Sequence, residues 1–139
     1  GDLEEAEREI APALSMLPPI DQPGARATLA AIHLAQGRTA DARAAAEDAA
    51  ARAEAMGGAS MFRGAFVRLV RAEALHATNA AGDHAAARRA IADARARLLA
   101  IADRIADPAF RRSFLENVPE NARTLALARA WLDDAAPGA

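Results

Sequence analysis

The sequence predicts an all-α protein, because its composition, its helix punctuation and the spacing of its apolar residues all favour helices. Alanine supplies about a third of the 139 residues, and all 17 basic residues are arginine. Both are strong helix formers, whereas the β-branched and aromatic residues that strands prefer are scarce. A chain of this length is expected to form one domain with a core of its own.

Glycine and proline divide the chain into segments. Glycine accepts the left-handed backbone found just after a helix, and proline suits the first turn of one. The predicted ends are Pro18-Pro19, Gly37, Gly57-Gly58 and Gly82-Asp83. The predicted starts are Asp21-Gln22-Pro23, Thr39, Asp107-Pro108 and Val118-Pro119, with Asp21 and Thr39 as candidate caps. These signals give seven helices in antiparallel succession, and Pro12 is expected to kink or split the first of them.

Three of the predicted helices have a clear apolar face. In the fifth helix the apolar residues recur at spacings of three and four, which places them on one side. They are Ala87, Ile91, Ala94, Leu98, Ile101 and Ile105. The corresponding faces are Leu3, Ala6, Ile10, Ala13 and Leu17 in the first helix, and Phe62, Phe66, Val70, Ala74 and Ala77 in the fourth. Each such face is expected to pack against another helix.

A repeated frame links three segments of the chain. Gly1, Gly37 and Gly82 each have Ala five residues later, an apolar residue nine later and Ala twelve later. This frame resembles the tetratricopeptide repeat, in which a Gly ends the first helix of each pair and small residues on the second helix let the pair close tightly. The glycines are 36 and then 45 residues apart, against about 34 in that family, so the second repeat must have longer helices.

The resemblance implies a right-handed superhelical stack of antiparallel helix pairs, an α-solenoid with about seven helices. The single domain, residues 1–139, is then divided into the second helix of a truncated repeat at 1–17, a repeat at 24–56, a long repeat at 60–106 and capping helices at 108–134. Because Gly1 stands where an initiator Met is expected, the chain is interpreted as a fragment of a longer protein. Residues 107–121 look like the end of helical repeat regions attached to bacterial kinases and ATPase-type regulators.

Charge and composition argue against several function classes. The net charge is −2, and 26% of the residues are charged, so we expect no general nucleic-acid binding. The sequence contains no apolar run near the roughly 20 residues that span a bilayer, so no membrane association is expected. The chain has no cysteine and shows no export signal, and a cytoplasmic location is the expectation.

No motif for catalysis, a cofactor or a metal stands out in the sequence. The three histidines lack the spacing of zinc ligands, and the serines lack the glycine elbow and the nearby base of a nucleophile. His33 is expected to be packed or half-buried, and His84 to be exposed at the start of a helix. Arg111 and Arg112 are interpreted as solvated charges, with a local basic patch as the alternative. The sequence therefore predicts neither an enzyme nor a bound cofactor.

The leading hypothesis is a protein–protein interaction module that binds a peptide or protein segment in a helical groove, within a larger signalling or regulatory protein. In the repeat family the first helix of each pair lines a concave surface, and stacked helix pairs create such surfaces. On the fourth helix the candidate partner-binding residues are Arg68, Arg71, Ala72, His76 and Asn79, at spacings that favour a common face. An ordinary solvated polar face is the competing and commoner interpretation.

A rival hypothesis is a segment that self-associates or docks on its parent chain. It rests on the first helix, whose usual partner would lie upstream of Gly1. Leu3, Ile10 and Leu17 are then expected to be exposed, and they are candidates for pairing two chains as a homodimer.

Overall fold

The computed structural model describes residues 1–57, 63–78 and 80–133. Within these ranges the chain is helical and forms no strand, as its composition predicts. The seven α-helices in this part are α1 (Asp2–Ala13), α2 (Gln22–Ala35), α3 (Thr39–Ala55), α4 (Gly64–Ala77), α5 (Asp83–Ala102), α6 (Pro108–Glu116) and α7 (Pro119–Ala128). The 3₁₀ turns Leu14–Met16 and Pro19–Asp21 join α1 to α2, and the π-helical turn Arg129–Asp133 continues α7.

Glycine shapes the turn between the helices of each pair. Gly37 has a left-handed φ of 76°. Its N–H and that of Arg38 donate to the carbonyls of Leu34 and His33, at 3.1 and 2.9 Å. These bonds satisfy carbonyls that the end of α2 leaves free. Gly82, with a φ of 85°, lies directly before α5, so both internal glycines of the repeated frame lie in turns.

The helices begin where the sequence predicts, but the residues that cap them are only partly those expected. The start predicted at Asp107-Pro108 is confirmed, and Asp107 caps α6: its Oδ1 accepts hydrogen bonds from the N–H groups of Ala109 and Phe110, at 2.8 and 3.2 Å. The capping roles predicted for Asp21 and Thr39 are wrong. Asp21 already has helical backbone angles at the end of a 3₁₀ turn, whereas a capping residue needs an extended backbone. Thr39 is the first residue of α3 itself and follows the cap position.

The first helix packs only loosely. Pro12 lies in its last turn, and the α-helix ends one residue later and tightens into a 3₁₀ turn. No residue of α1 is buried. Leu3 is 40% exposed, while Ile10 and Leu17 are half-buried. The apolar face expected here is therefore covered only in part, by α2.

Each helix packs mainly against helices that are close to it along the chain. The two most extensive contacts join α2 to α3 and α4 to α5. Between these pairs, α4 contacts both α3 and α2. Beyond them, α7 contacts α4 and α5, and α6 contacts α7. This order brings α2, α4 and α7 side by side.

Two clusters of buried apolar side chains form the core. The first joins α2, α3 and α4 and is mostly alanine: Ala27, Ala30, Ala42, Ala46, Ala49, Ala53, Val67, Val70 and Ala74. The second joins α4, α5 and α7 and contains larger side chains: Leu69, Ala72, Leu75, Ala87, Ala90, Ile91 and Ala128. Ala77, expected on the packed face of the fourth helix, is exposed because it lies in the last turn of α4. Phe62, expected on the same face, lies outside the described residues.

The repeated frame has a physical counterpart in α3 and α5. The positions five, nine and twelve residues after Gly37 and after Gly82 are all buried. They are Ala42, Ala46 and Ala49 in α3, and Ala87, Ile91 and Ala94 in α5. The corresponding residues of α1 are not buried, so the first copy of the frame is not packed in the same way.

Candidate functional site

The arginines predicted to bind a partner lie near α3. The Nε of Arg71 is 3.1 Å from the Oε1 of Glu47, which places this guanidinium in an ion pair on α3. Arg68 is half-buried, and its Nε is buried without a hydrogen-bond partner in the described part of the chain. Burial, and then the neighbouring Arg97, lowers the pKa of Arg68 below its ordinary value. The Arg71 guanidinium is therefore already in an ion pair, and the Arg68 Nε is enclosed within the fold.

The other predicted binding residues lie elsewhere. Ala72 is fully buried in the second core cluster, so its side chain faces no partner from outside. His76 is exposed, and its ring is stacked with those of His84 and Trp131. Asn79 lies outside the described residues. The expectation that Ala72 shares a solvent-facing groove with its neighbours on α4 is wrong, because that side of the helix packs against α5.

The buried position expected for His33 is confirmed, since this residue is 6% exposed. Its Nδ1 lies 3.2 Å from the Oε1 of Gln36 and 3.8 Å from the Oε1 of Glu7. Glu7 also accepts hydrogen bonds from Gln36 and Arg38. The bond from Gln36 and the pair with Arg38 lower the pKa of Glu7, although burial opposes them. These polar side chains connect α1 to the end of α2, and we interpret them as a structural contact.

A cleft of about 310 Å³ lies where α2, α4 and α7 meet. Its volume is at the lower end of the range of about 300–1,000 Å³ that is typical of ligand sites. Its floor is apolar and its α7 side carries charge. The lining residues are Ala31 and Leu34 from α2, Phe66, Leu69, Val70 and Glu73 from α4, and Pro119, Glu120 and Arg123 from α7.

Helical spacing accounts for the lining of this cleft. Phe66, Leu69, Val70 and Glu73 stand three, four and seven residues apart on α4, so they form one stripe along that helix. Sequence reasoning assigned Phe66 and Val70 to the packed face and passed over Leu69 and Glu73. Glu73, three residues after Val70 at the edge of this stripe, was the available signal, because a carboxylate beside an apolar surface needs solvent or a partner.

One ion pair crosses the cleft between α4 and α7. The Nε and Nη2 of Arg123 both donate to the Oε2 of Glu73, at 3.0 and 2.9 Å. The side chain of Glu73 is 23% exposed and that of Arg123 is 57% exposed. Glu120 lies in the first turn of α7, where the positive end of the helix dipole favours a carboxylate. The cleft therefore combines an apolar floor with two acidic groups and one basic group.

A second cleft, of about 470 Å³, lies between α3 and the turn before α5. It is larger, but its charged groups are already paired. Arg43 is 3.1 Å from the Oδ1 of Asp83, and Glu47 pairs with Arg71. In the smaller cleft, by contrast, the carboxylate of Glu120 has no partner among the described residues. Size alone therefore does not make the larger cleft the better candidate.

In the part of the chain that the structure describes, no group of three or more His, Cys, Asp or Glu side chains is placed to hold a metal ion. Among the helices of that part, none is both long enough and apolar enough to cross a membrane.

A scan against models of known protein families, a search of curated proteins and a search of solved structures find no match to this chain. The tetratricopeptide resemblance therefore rests on the glycine and alanine frame of the sequence.

Proposed function

We propose that this chain is a protein–protein interaction module that binds a peptide or protein segment in the cleft between α2, α4 and α7, within a larger signalling or regulatory protein. The observation that carries this proposal is an open apolar floor with a charged side. Apolar floors with a few placed polar groups are the usual form of binding sites. The proposal assigns the chain no catalytic role and no cofactor.

The proposed architecture is a tetratricopeptide-like superhelical stack. Three observations support it: the α2/α3 and α4/α5 pairs, the contacts of α7 with both α4 and α5, and the burial of equivalent frame positions in α3 and α5. In such a stack the first helices of successive pairs form one continuous surface. The cleft lies on α2 and α4, the first helices of their pairs, and on α7, which packs against α4.

Peptide selection on the purified chain tests the proposal. A random-peptide phage library is selected on the immobilised chain, and the resulting peptides are tested against two variants. Ala31→Gln places a polar side chain on the cleft floor, and Phe66→Leu removes an aromatic ring from it. We expect both changes to weaken binding, whereas Ala44→Gln, on the exposed side of α3, leaves it unchanged. Circular dichroism checks that each variant is folded.

Selection that yields no binding peptide, or peptides that bind both cleft variants as tightly as the original chain, would refute the proposal. Two cleft variants are used because they change the floor in different ways. If one of them fails to fold, the other still decides the outcome.

A second candidate function is self-association or docking on the parent chain through α1. Its supporting observation is the apolar surface at this end, where Leu3, Met16 and Ile20 are 40%, 84% and 58% exposed. Exposed apolar groups of this size often mark contact surfaces. Sedimentation analysis over a range of concentrations tests it: a dimer that Leu3→Glu dissociates supports this candidate, and a chain that stays monomeric at high concentration removes it.

A further inference from the structure

The charges of the cleft between α2, α4 and α7 are unevenly distributed, and this asymmetry bears on its occupant. At the α7 side two carboxylates, Glu73 and Glu120, face one guanidinium, Arg123. Both hydrogen bonds from Arg123 go to a single oxygen of Glu73, its Oε2. Within the described residues the Oε1 of Glu73 accepts no hydrogen bond, and the carboxylate of Glu120 has neither a hydrogen bond nor an ion pair. The carboxylate oxygens at this end can therefore still accept hydrogen bonds from a ligand.

Arg63, a further cation beside Phe66, is not among the residues that line the cleft. The guanidinium of Arg63 lies over the ring of Phe66, 4.4 Å from its centre. Arg63 and Glu73 are ten residues apart, which corresponds to about 15 Å along a helix. This separation exceeds the screening length of about 8 Å at physiological salt. Arg63 therefore does not neutralise the acidic end.

We infer that the occupant of the cleft is a segment of another protein that carries a bulky apolar side chain beside an arginine or lysine. The apolar side chain lies on the floor formed by Leu34, Phe66 and Val70. The basic side chain lies between Glu73 and Glu120 and donates to their free oxygens. This inference rests on the proposed function and adds the chemistry of the partner to it.

Charge complementarity favours this occupant over an acidic one. A carboxylate at the α7 side would face two others and only one cation, which is already bonded. An arginine can bond two acceptors at once through its planar group, whereas lysine acts as a compact charge. Arginine is therefore expected to be preferred at this position of the partner.

The test compares peptides selected on the chain with and without the two carboxylates. A random-peptide phage library is selected on the original chain, and the enriched peptides are titrated by fluorescence polarisation. The test variant is Glu73→Gln/Glu120→Gln, and the control is Glu9→Gln/Glu116→Gln, which removes two exposed carboxylates outside the cleft. We expect enrichment of arginine or lysine beside a bulky apolar residue. The test variant is expected to bind about five- to tenfold more weakly, the control variant unchanged.

The outcomes separate this inference from the proposed function. Peptides that lose affinity with Ala31→Gln, but show no enrichment in basic residues or bind the double glutamine variant unchanged, overturn the inference and leave the cleft as a binding site. An enrichment in acidic residues also overturns it. A library that gives no cleft-dependent peptide overturns both. Binding that weakens as salt rises from low to physiological, and only when Glu73 and Glu120 are present, supports the inference.

Discussion

The imidazole of His76 lies face to face with the indole of Trp131, with ring centres 4.1 Å apart and planes within 5° of parallel. The ring of His84 is also stacked with that of His76, with ring centres 5.3 Å apart. Trp131 belongs to the turn that follows α7, and Arg88 donates to its carbonyl oxygen at 2.6 Å. The stack thus joins the end of α4, the start of α5 and the end of α7 at one edge of the second core cluster.

The stack should make the C-terminal end of the fold sensitive to pH. Burial, and then the nearby His84, lowers the pKa of His76 below the ordinary value of about 6.5. The unfolded chain then binds this proton more readily than the folded one. The contribution of neutral His76 to stability is therefore complete above pH 6.5 or so and is lost as the pH falls from there through the folded pKa.

Tryptophan fluorescence measures this titration, because Trp131 is the only Trp of the chain and a protonated imidazole in contact quenches an indole. We expect a midpoint below the ordinary histidine value, and a higher midpoint in His84→Gln, which lacks the neighbouring ring. His76→Gln serves as the control and should remove the transition. A midpoint that His84→Gln leaves in place would contradict the assignment.

Asp83, in the first turn of α5, should contribute more to stability than Asp41, the acidic residue in the first turn of α3. Asp83 is 5% exposed, accepts a hydrogen bond from the hydroxyl of Thr78 and pairs with Arg43. Asp83→Ala is expected to lower the free energy of unfolding by about 1–3 kcal/mol. Asp41→Ala removes an exposed carboxylate from the first turn of α3 and should cost about 1 kcal/mol or less. Urea denaturation compares the two, and equal losses would count against the prediction.

The packing of α2 on α3 should reject larger side chains. Ala46 is 1% exposed and lies in the alanine-rich cluster, although the equivalent position of α5 holds Ile91. Ala46→Leu is expected to destabilise the fold by about 1–3 kcal/mol, because the helices would have to separate. Ala44→Leu, on the exposed side of the same helix, should change stability by no more than about 0.5 kcal/mol. Thermal denaturation of both variants measures the difference. If Ala46→Leu is as stable as the original chain, the helices can adjust to a larger side chain and the prediction is wrong.

Arg111 and Arg112 should differ sharply although they are neighbours. The Arg111 guanidinium donates to the carbonyls of Ala102, the last residue of α5, and of Ile105, in the turn that follows, at distances from 2.7 to 3.2 Å. Arg111→Ala is expected to cost about 1.5–3 kcal/mol. Arg112 is exposed, and Arg112→Ala should cost about 0.5 kcal/mol or less. Similar losses for both in urea denaturation would mean that these hydrogen bonds contribute little.

The sequence predicts those parts of the fold that depend on short-range physics. Asp107 and the two amides it caps are two and three residues apart, so the motif can be read directly. The same holds for the burial of Ile91 and Leu98 on α5, which follows from helical periodicity. Asp21 shows the limit of this reasoning, because the preceding 3₁₀ turn changes its backbone angles and so removes its capping role.

The candidate site is less accessible to sequence reasoning, because its parts come from distant segments. Glu73 and Arg123 are 50 residues apart, and no local pattern brings them together. Their pairing depends on α7 reaching α4, which follows from packing over the whole chain. Periodicity finds a polar stripe on α4 but cannot say which side another helix will cover, and Ala72 lies under α5 for that reason.

The alanine-rich packing of α2 on α3 has a thermodynamic consequence. An alanine side chain has no rotamers to lose, so ordering these alanines has no side-chain entropy cost, whereas ordering Leu75 and Ile91 between α4 and α5 does. Each alanine also shields little apolar area from water, so melting the first pair adds less heat capacity per residue than melting the second. The stability of the N-terminal pair should consequently follow a flatter temperature curve than that of its neighbour.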